Sequence, residues 1–195
     1  NGFRLKIMAD PTFVSSAPAV NPPVASTAAF LIMNDSVSVQ GINIISTNTV
    51  AYGILASSAS VNISSVNVIS GGMIWTAGIA VSSYSAVSYS SITVQAADGL
   101  RITGLNNTVS VSTITSNSAG YYALYINSGS SNTVSRSYVQ GSTAAYITGS
   151  TGTVIGDSVF VATNTMGYAL RLSGGSVNLT LSSSTITGGA QGAGI

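Results

Sequence analysis

The side chains able to do chemistry are few, and their spacing keeps most of them apart. Asp10, Asp35, Asp98 and Asp157 are the only carboxylate side chains, and no two lie within 20 residues of each other. There is no histidine and no cysteine. A Ser-His-Asp relay, an imidazole or thiolate metal site and a disulfide framework are therefore excluded. Paired-carboxylate catalysis needs two acids about 5 to 10 Å apart, and calcium needs about six to eight oxygens with several carboxylates. Scattered single aspartates suit neither. The sequence thus leads us to expect no catalytic residue, no metal ligand and no cofactor.

What remains is a recurring position that carries arginine and tyrosine. Arg101, Tyr125, Tyr146 and Arg171 each occupy the middle of an apolar-x-apolar triplet, so in a strand they point away from their apolar neighbours. If successive triplets are stacked, the two rings lie one strand spacing apart with a cation above and below them, each contact contributing about 0.5 to 1 kcal/mol. These four are the candidate binding residues. The column reads first as a ladder stabilising a solvent-facing sheet, and second as a sugar-binding strip. A neighbouring column, with Tyr52, Asp98, Tyr122 and Tyr168, is expected to be too widely spaced to stack and to shield turns instead.

The element that positions these residues is a repeat. Gly99-Leu100-Arg101-Ile102 returns as Gly2-Phe3-Arg4-Leu5, Ala29-Phe30-Leu31-Ile32, Gly53-Ile54-Leu55-Ala56, Gly78-Ile79-Ala80-Val81, Ala123-Leu124-Tyr125-Ile126, Ala144-Ala145-Tyr146-Ile147 and Ala169-Leu170-Arg171-Leu172, and Gly194-Ile195 begins another. First inward residues, from Phe3 to Ile195, recur at intervals of 21 to 27 residues. Such a period signals a solenoid. A second strand follows in each period (Val37-Ser38-Val39, Val61-Asn62-Ile63, Val87-Ser88-Tyr89, Val109-Ser110-Val111, Val134-Ser135-Arg136), then a third (Ile42-Asn43-Ile44, Val66-Asn67-Val68, Ile92-Thr93-Val94, Val159-Phe160-Val161). Helical periodicity is missing, and Val, Ile, Thr and Tyr enrichment agrees with strands. The expected fold is all-β: a right-handed, single-stranded parallel β-helix of about eight coils of 20 to 27 residues, with three short strands per coil. Gly99 is taken to mark the turn into its strand.

Two places break the pattern. Residues 1 to 27 read as a partial coil followed by a loop or strap, because Pro11, Pro18, Pro22 and Pro23 are all the prolines in the chain and proline cannot donate to a ladder. Trp75 sits in Gly71-Gly72-Met73-Ile74-Trp75 and is placed at a turn, as aromatic cover over a coil edge. Residues 28 to 195 are the β-helix proper, expected to continue beyond this segment. Corner asparagines such as Asn107 and Asn132 should hydrogen-bond their own turns or their stacked copies. Sequons at Asn34, Asn62, Asn106 and Asn178 are of a number that chance supplies in so Asn- and Ser-rich a chain.

Composition narrows the partners. Only 5% of residues are charged and the formal net charge is +1, so no basic stripe exists to neutralise phosphates and nucleic acid is set aside. No apolar run reaches the roughly 18 to 20 residues of a membrane-spanning helix. Asn1 to Met8 lacks the features of a signal peptide, and the chain is read as a piece of a longer secreted protein.

Segments such as Ser131-Asn132-Thr133-Val134-Ser135 and Ser184-Thr185-Ile186-Thr187-Gly188-Gly189 resemble coils of the right-handed parallel β-helix repeats of the pectate-lyase-like superfamily. The likeness is greatest to the non-enzymatic versions in large bacterial surface proteins and adhesins, and it covers roughly residues 28 to 195. Enzymatic members carry clustered Asp residues with His, Lys or Arg on one sheet; this sequence departs from them there, so no catalytic residue carries over. The expected role is a structural or adhesive segment of an extracellular, cell-surface or filament-forming protein. Its expected partners are copies of itself or further coils of the same chain, packed end to end or laterally, with cell-surface glycans as a second class. The alternative is a carbohydrate-binding module using the Tyr/Arg column. Ice binding and polysaccharide lyase activity are weaker readings, the first because that column lacks a Thr-x-Thr array.

Overall fold

The computed structural model describes residues 4–9 and 17–189. The chain is a parallel β-solenoid of about seven turns, built from three sheets and no helices among the described residues. Sheet 1 has seven strands: Ala28–Ile32, Val50–Ala56, Ile74–Val81, Asp98–Ile102, Tyr122–Asn127, Thr143–Thr148 and Leu170–Ser173. Sheet 2 runs from Leu5–Met8 through Val37–Gln40 to Thr180–Ser182, and sheet 3 from Ala19–Val20 through Asn43–Ile45 to Thr185–Thr187, with eight strands each. Each strand pairs in parallel with its copy one coil away, for example Leu100 with Leu124 and Ile102 with Ile126.

The strands are short because each coil turns three times, and they persist because β-branched side chains fill a narrow interior. Ile54, Ile79, Leu100 and Leu124 form one wholly buried column in sheet 1. Val39, Ile63, Val87, Val109, Val134 and Ile155 form another in sheet 2, and Ile44, Val68, Ile92, Ile114, Val139 and Phe160 a third in sheet 3. No coil could bury its own apolar face, so stability comes from stacking.

Several expectations from the sequence are corrected. Gly2-Phe3-Arg4-Leu5 is not a rung of sheet 1: Leu5 pairs with Val37 and Ile7 with Val39, in sheet 2. Arg4 therefore does not belong to the Arg101 column, and sheet 1 has seven rungs among the described residues. Phe3 and Gly194-Ile195 lie outside the described residues. The proline-rich segment is not all loop, since Ala19–Val20 pairs with Asn43 and Ile44. Trp75 lies inside the strand Ile74–Val81.

The second strands also shift. Tyr89, Val111 and Arg136 stand at corners with φ of 50°, 50° and 48°, as do Ser65, Asp157 and Ser183. A second corner column, three residues before the central residue of the sheet 2 strands, holds Ser60, Tyr84, Asn106, Ser131 and Asn178, also at positive φ. Left-handed corners turn the chain sharply without a loop, and a non-glycine residue there costs about 1 to 2 kcal/mol. In sheet 3, Val159-Phe160-Val161 is offset by one from the expected register: Phe160 pairs with Val139 and is wholly buried, while its two valine neighbours face outward.

Polar ladders occupy two corners. The amide N–H of Ser90 donates to Ser112 Oγ, Ser112 to Ser137, Ser137 to Ser158 and Ser158 to Ser184, at 3.1 to 3.3 Å. Each of these hydroxyls donates in turn to the carbonyl two residues back at 2.8 Å. At the other corner Asn107 and Asn132 are buried and bonded to each other, as the sequence suggested. Every buried side-chain nitrogen and oxygen among the described residues has a partner, which is how a sparsely charged chain avoids the cost of burying polar groups.

Candidate functional site

The outer face of sheet 1 gathers the four candidate residues and several others. In the strand Tyr122–Asn127, two consecutive residues, Ala123 and Leu124, are wholly buried, and Tyr122 and Tyr125 on either side of them are half-exposed. Strict alternation fails there, so residues three apart emerge on the same face. The same holds for Tyr52 and Leu55 in Val50–Ala56 and for Thr143 and Tyr146 in Thr143–Thr148. The face thus carries two adjacent columns, half-exposed at their tyrosines and buried at Ala77, Ala80 and Asp98. One reads Tyr52, Ala77, Asp98, Tyr122, Thr143; the other reads Leu55, Ala80, Arg101, Tyr125, Tyr146, Arg171.

The four candidates form one stack along the solenoid axis. Tyr125 and Tyr146 lie face to face, centroids 5.6 Å apart and planes 5° from parallel. The Arg101 guanidinium stands 5.2 Å from the Tyr125 ring centre, and that of Arg171 stands 5.1 Å from Tyr146. Both faces of both rings are therefore occupied, each by the other ring or by a cation.

The tyrosines of the neighbouring column do not pair with one another among the described residues, but two of them join the Tyr/Arg stack. Tyr122 packs on Tyr146 at 4.7 Å and on Tyr125 at 5.3 Å, tilted to each. Tyr168 lies 5.5 Å from Arg171. The doubled buried pair within each strand is the cause, because it brings residues two before the first inward position onto the same face. Tyr52 is left outside the cluster.

Asp98 is the residue the sequence reading undervalued. It is 2% exposed; its Oδ2 accepts from Arg101 Nε and Nη2 at 3.1 and 2.7 Å, and its Oδ1 accepts from the Tyr122 amide at 3.0 Å. One carboxylate thus orients Arg101 under the stack and ties two coils together. The Asp-x-x-Arg spacing beside a doubled apolar pair was the signal in the sequence. Asp98 is thus nearly excluded from solvent and is held by an arginine and a backbone amide. Asp35 Oδ1 accepts from the Ala59 amide at 2.9 Å, and Asp157 sits on an exposed corner; Asp10 lies outside the described residues. No group of three or more metal-ligating side chains occurs among the described residues.

The phenols feel their surroundings in opposite senses. Burial, together with the nearby Tyr146, pushes the Tyr122 hydroxyl above the ordinary tyrosine range. Tyr146 is held below it, chiefly by its 2.6 Å hydrogen bond with Ser173 Oγ.

Just before the stack, both outward columns drop to alanine at Ala77 and Ala80, leaving a step between Leu55 and Arg101. A depression of about 330 Å³ opens there, lined by Tyr52, Leu55, Ala80, Arg101 and Thr103 among others. Among the described residues no helix is long and apolar enough to cross a membrane. No protein-family model, curated protein or solved structure matches the chain.

Proposed function

We propose that the chain is a structural or adhesive segment of an extracellular bacterial surface or filament-forming protein, a non-catalytic relative of the pectate-lyase-like β-helices. The observation that carries this reading is the use made of the outward column. Arg101, Tyr125, Tyr146 and Arg171 spend their faces and charges on one another and on Asp98, which binds successive coils together. Stacking on a sugar requires a bare ring face, and Tyr125 and Tyr146 have none; a glycan-binding reading of this column is left with ring edges.

The serine and asparagine ladders support the same reading, since they tie each coil to the next through buried, uncharged hydrogen bonds. The partners are copies of this chain or further coils of the parent protein, meeting through strand edges. Electron microscopy of the native material tests this: rods or filaments are expected, and only short, monodisperse particles would count against assembly. A screen for unsaturated products from acidic polysaccharides tests the absence of catalysis, and sustained turnover would overturn it.

A further inference from the structure

We infer that the chain carries covalent N-linked sugars on one side of the solenoid, at Asn34, Asn62, Asn106 and Asn178, along sheet 2 and the corner that leads into it. The inference rests on the reading of an exported segment, and adds a modification to it. Chance supplies the number of sequons in so Asn- and Ser-rich a chain, but it does not supply their placement. Asn34, Asn106 and Asn178 stand at the corner between sheets 1 and 2, and Asn62 on the outer face of sheet 2; all four are exposed. The other exposed asparagines among the described residues, Asn21, Asn117 and Asn164, stand at the corner between sheets 3 and 1, and none begins a sequon. Asn43, Asn48, Asn67, Asn107, Asn127 and Asn132 are buried or half-buried, and none of these begins one either. The acceptor pattern thus coincides with exposure on a single side.

Local geometry suits the attachment. An N-linked acceptor needs its amide and the hydroxyl two residues on at a surface. Thr108 and Thr180, which complete the sequons of Asn106 and Asn178, are exposed, and Ser36 and Ser64 are half-buried. Asn106 and Asn178 both take φ 56°, a left-handed conformation that asparagine tolerates. Beside them sheet 2 is low, with Ala86, Ser88, Ser110, Ser135 and Gly156 at outward positions, so a bulky sugar meets no large side chain there. Tyr84 precedes Asn106 in the corner column, its amide donating to the Leu105 carbonyl at 2.8 Å, and is 57% exposed. It offers an apolar ring to the first sugar on Asn106, one strand spacing away.

The donor is a sugar diphosphate, carried on a nucleotide or on a lipid, and a transferase of the exporting cell joins it to the chain. The asparagine Nδ2 attacks the anomeric carbon, the bond from that carbon to the phosphate oxygen breaks with its electron pair leaving on the diphosphate, and one amide proton passes to a base of the transferase. The product is a neutral, strongly hydrated group. Only 5% of the residues are charged, and surface sugars supply the solubility that charges supply elsewhere. Placed on one side, they leave sheets 1 and 3 and both ends of the solenoid open for assembly.

Mass spectrometry of peptides from the native protein tests the inference. Sugar is expected on the sequon asparagines, Asn106 and Asn178 above all. A lone hexose points to a nucleotide donor, and an oligosaccharide of one fixed composition to a lipid carrier. Produced in the same host, Thr108→Ala should abolish the sugar on Asn106 and Thr180→Ala that on Asn178, whereas Thr108→Ser should retain it. These substitutions alter exposed hydroxyls and leave the left-handed asparagines in place, and circular dichroism verifies their folding. Unmodified Asn106 and Asn178 in the native protein, or sugar on Asn106 that survives Thr108→Ala, would overturn the inference. Filaments built from unmodified chain would overturn it while leaving the structural reading standing, and sugar-bearing particles that never assemble would do the reverse.

Discussion

Replacing Asn132 by alanine tests the idea that buried amide and hydroxyl ladders, rather than charges, hold the coils together. Asn132 is wholly buried. Its Oδ1 accepts from the Asn107 amide at 2.9 Å and from Asn107 Nδ2 at 3.0 Å, while its Nδ2 donates to the Gly104 carbonyl at 3.1 Å. Asn132→Ala leaves at least the Asn107 N–H and the Gly104 carbonyl unpaired inside the corner. At about 1 to 3 kcal/mol for each stranded group, the loss is roughly 2 to 6 kcal/mol, a large share of the roughly 5 to 15 kcal/mol that stabilises a typical protein.

Urea unfolding followed by far-UV circular dichroism reads the effect as a lower midpoint at constant slope. Asn62→Ala, on an exposed sheet 2 position, is the control and should change stability by no more than about 0.5 kcal/mol. Asn132→Asp adds a pH arm. Burial disfavours the charged carboxylate, and only the protonated form can donate to Gly104, so its folded pKa rises above the unfolded value of about 3.9. Stability is then fully present below about pH 3.9 and is lost as pH rises through the raised folded value. A midpoint for Asn132→Ala equal to that of the Asn62→Ala control, or an Asn132→Asp variant as stable at pH 7 as at pH 3.5, would refute the reasoning.

Other outcomes follow from the same geometry. Val111→Asn should stabilise the chain by about 1 kcal/mol, because asparagine tolerates the left-handed corner that valine occupies at φ 50°; a melting temperature raised by about 2 to 4 °C would show it. Gly99→Ala should destabilise by about 1 to 3 kcal/mol in chemical denaturation, since a Cβ there would lie 2.5 Å from the Ala123 carbonyl oxygen and 2.6 Å from Ile114 Cγ2. In alkaline titration followed by phenolate absorbance, the difference between the wild type and Tyr146→Phe should locate Tyr146 below the ordinary value of about 10, and that for Tyr122→Phe should locate Tyr122 above it. Tyr122, with its pKa raised, contributes stability that is fully present below about pH 10 and is lost as pH rises through its folded value. Ser173→Ala should return Tyr146 upward, and a Tyr146 midpoint unmoved by that change would refute the hydrogen bond as the cause.

The solenoid was legible in the sequence because its core depends on a coarse property, apolar side chains returning at about the same interval. Asn107 and Asn132 were legible for a related reason: a buried polar corner needs a residue that both donates and accepts. The serine ladder is less legible, although it leaves a pattern in Val109-Ser110-Val111-Ser112-Thr113-Ile114 and Val134-Ser135-Arg136-Ser137-Tyr138-Val139. In each, the second serine is the rung and the residue before it takes positive φ. Strict alternation misplaced Tyr89, Val111 and Arg136, because a left-handed corner follows immediately after the inward valine and its outward neighbour.

Of the candidate site, Arg101, Tyr125, Tyr146 and Arg171 could be aligned from their triplets alone. Asp98, Tyr122 and Tyr168 could be aligned as a neighbouring column but not joined to the stack, because the doubled buried pair that turns them onto the same face is a local departure from the two-residue period. Gly99 likewise is not a turn marker. It lies within the strand Asp98–Ile102, where the backbone of the next coil and Ile114 leave no room for a side chain.

The central claim, that the outward column is an inter-coil stack, is tested most directly by a double-mutant cycle on Tyr125 and Tyr146. Stabilities of Tyr125→Ala, Tyr146→Ala and the double variant are compared with the wild type by urea unfolding. The stack at 5.6 Å predicts a coupling of about 0.5 to 1.5 kcal/mol favouring the pair. Losses that simply add, with no coupling beyond measurement error, would contradict it.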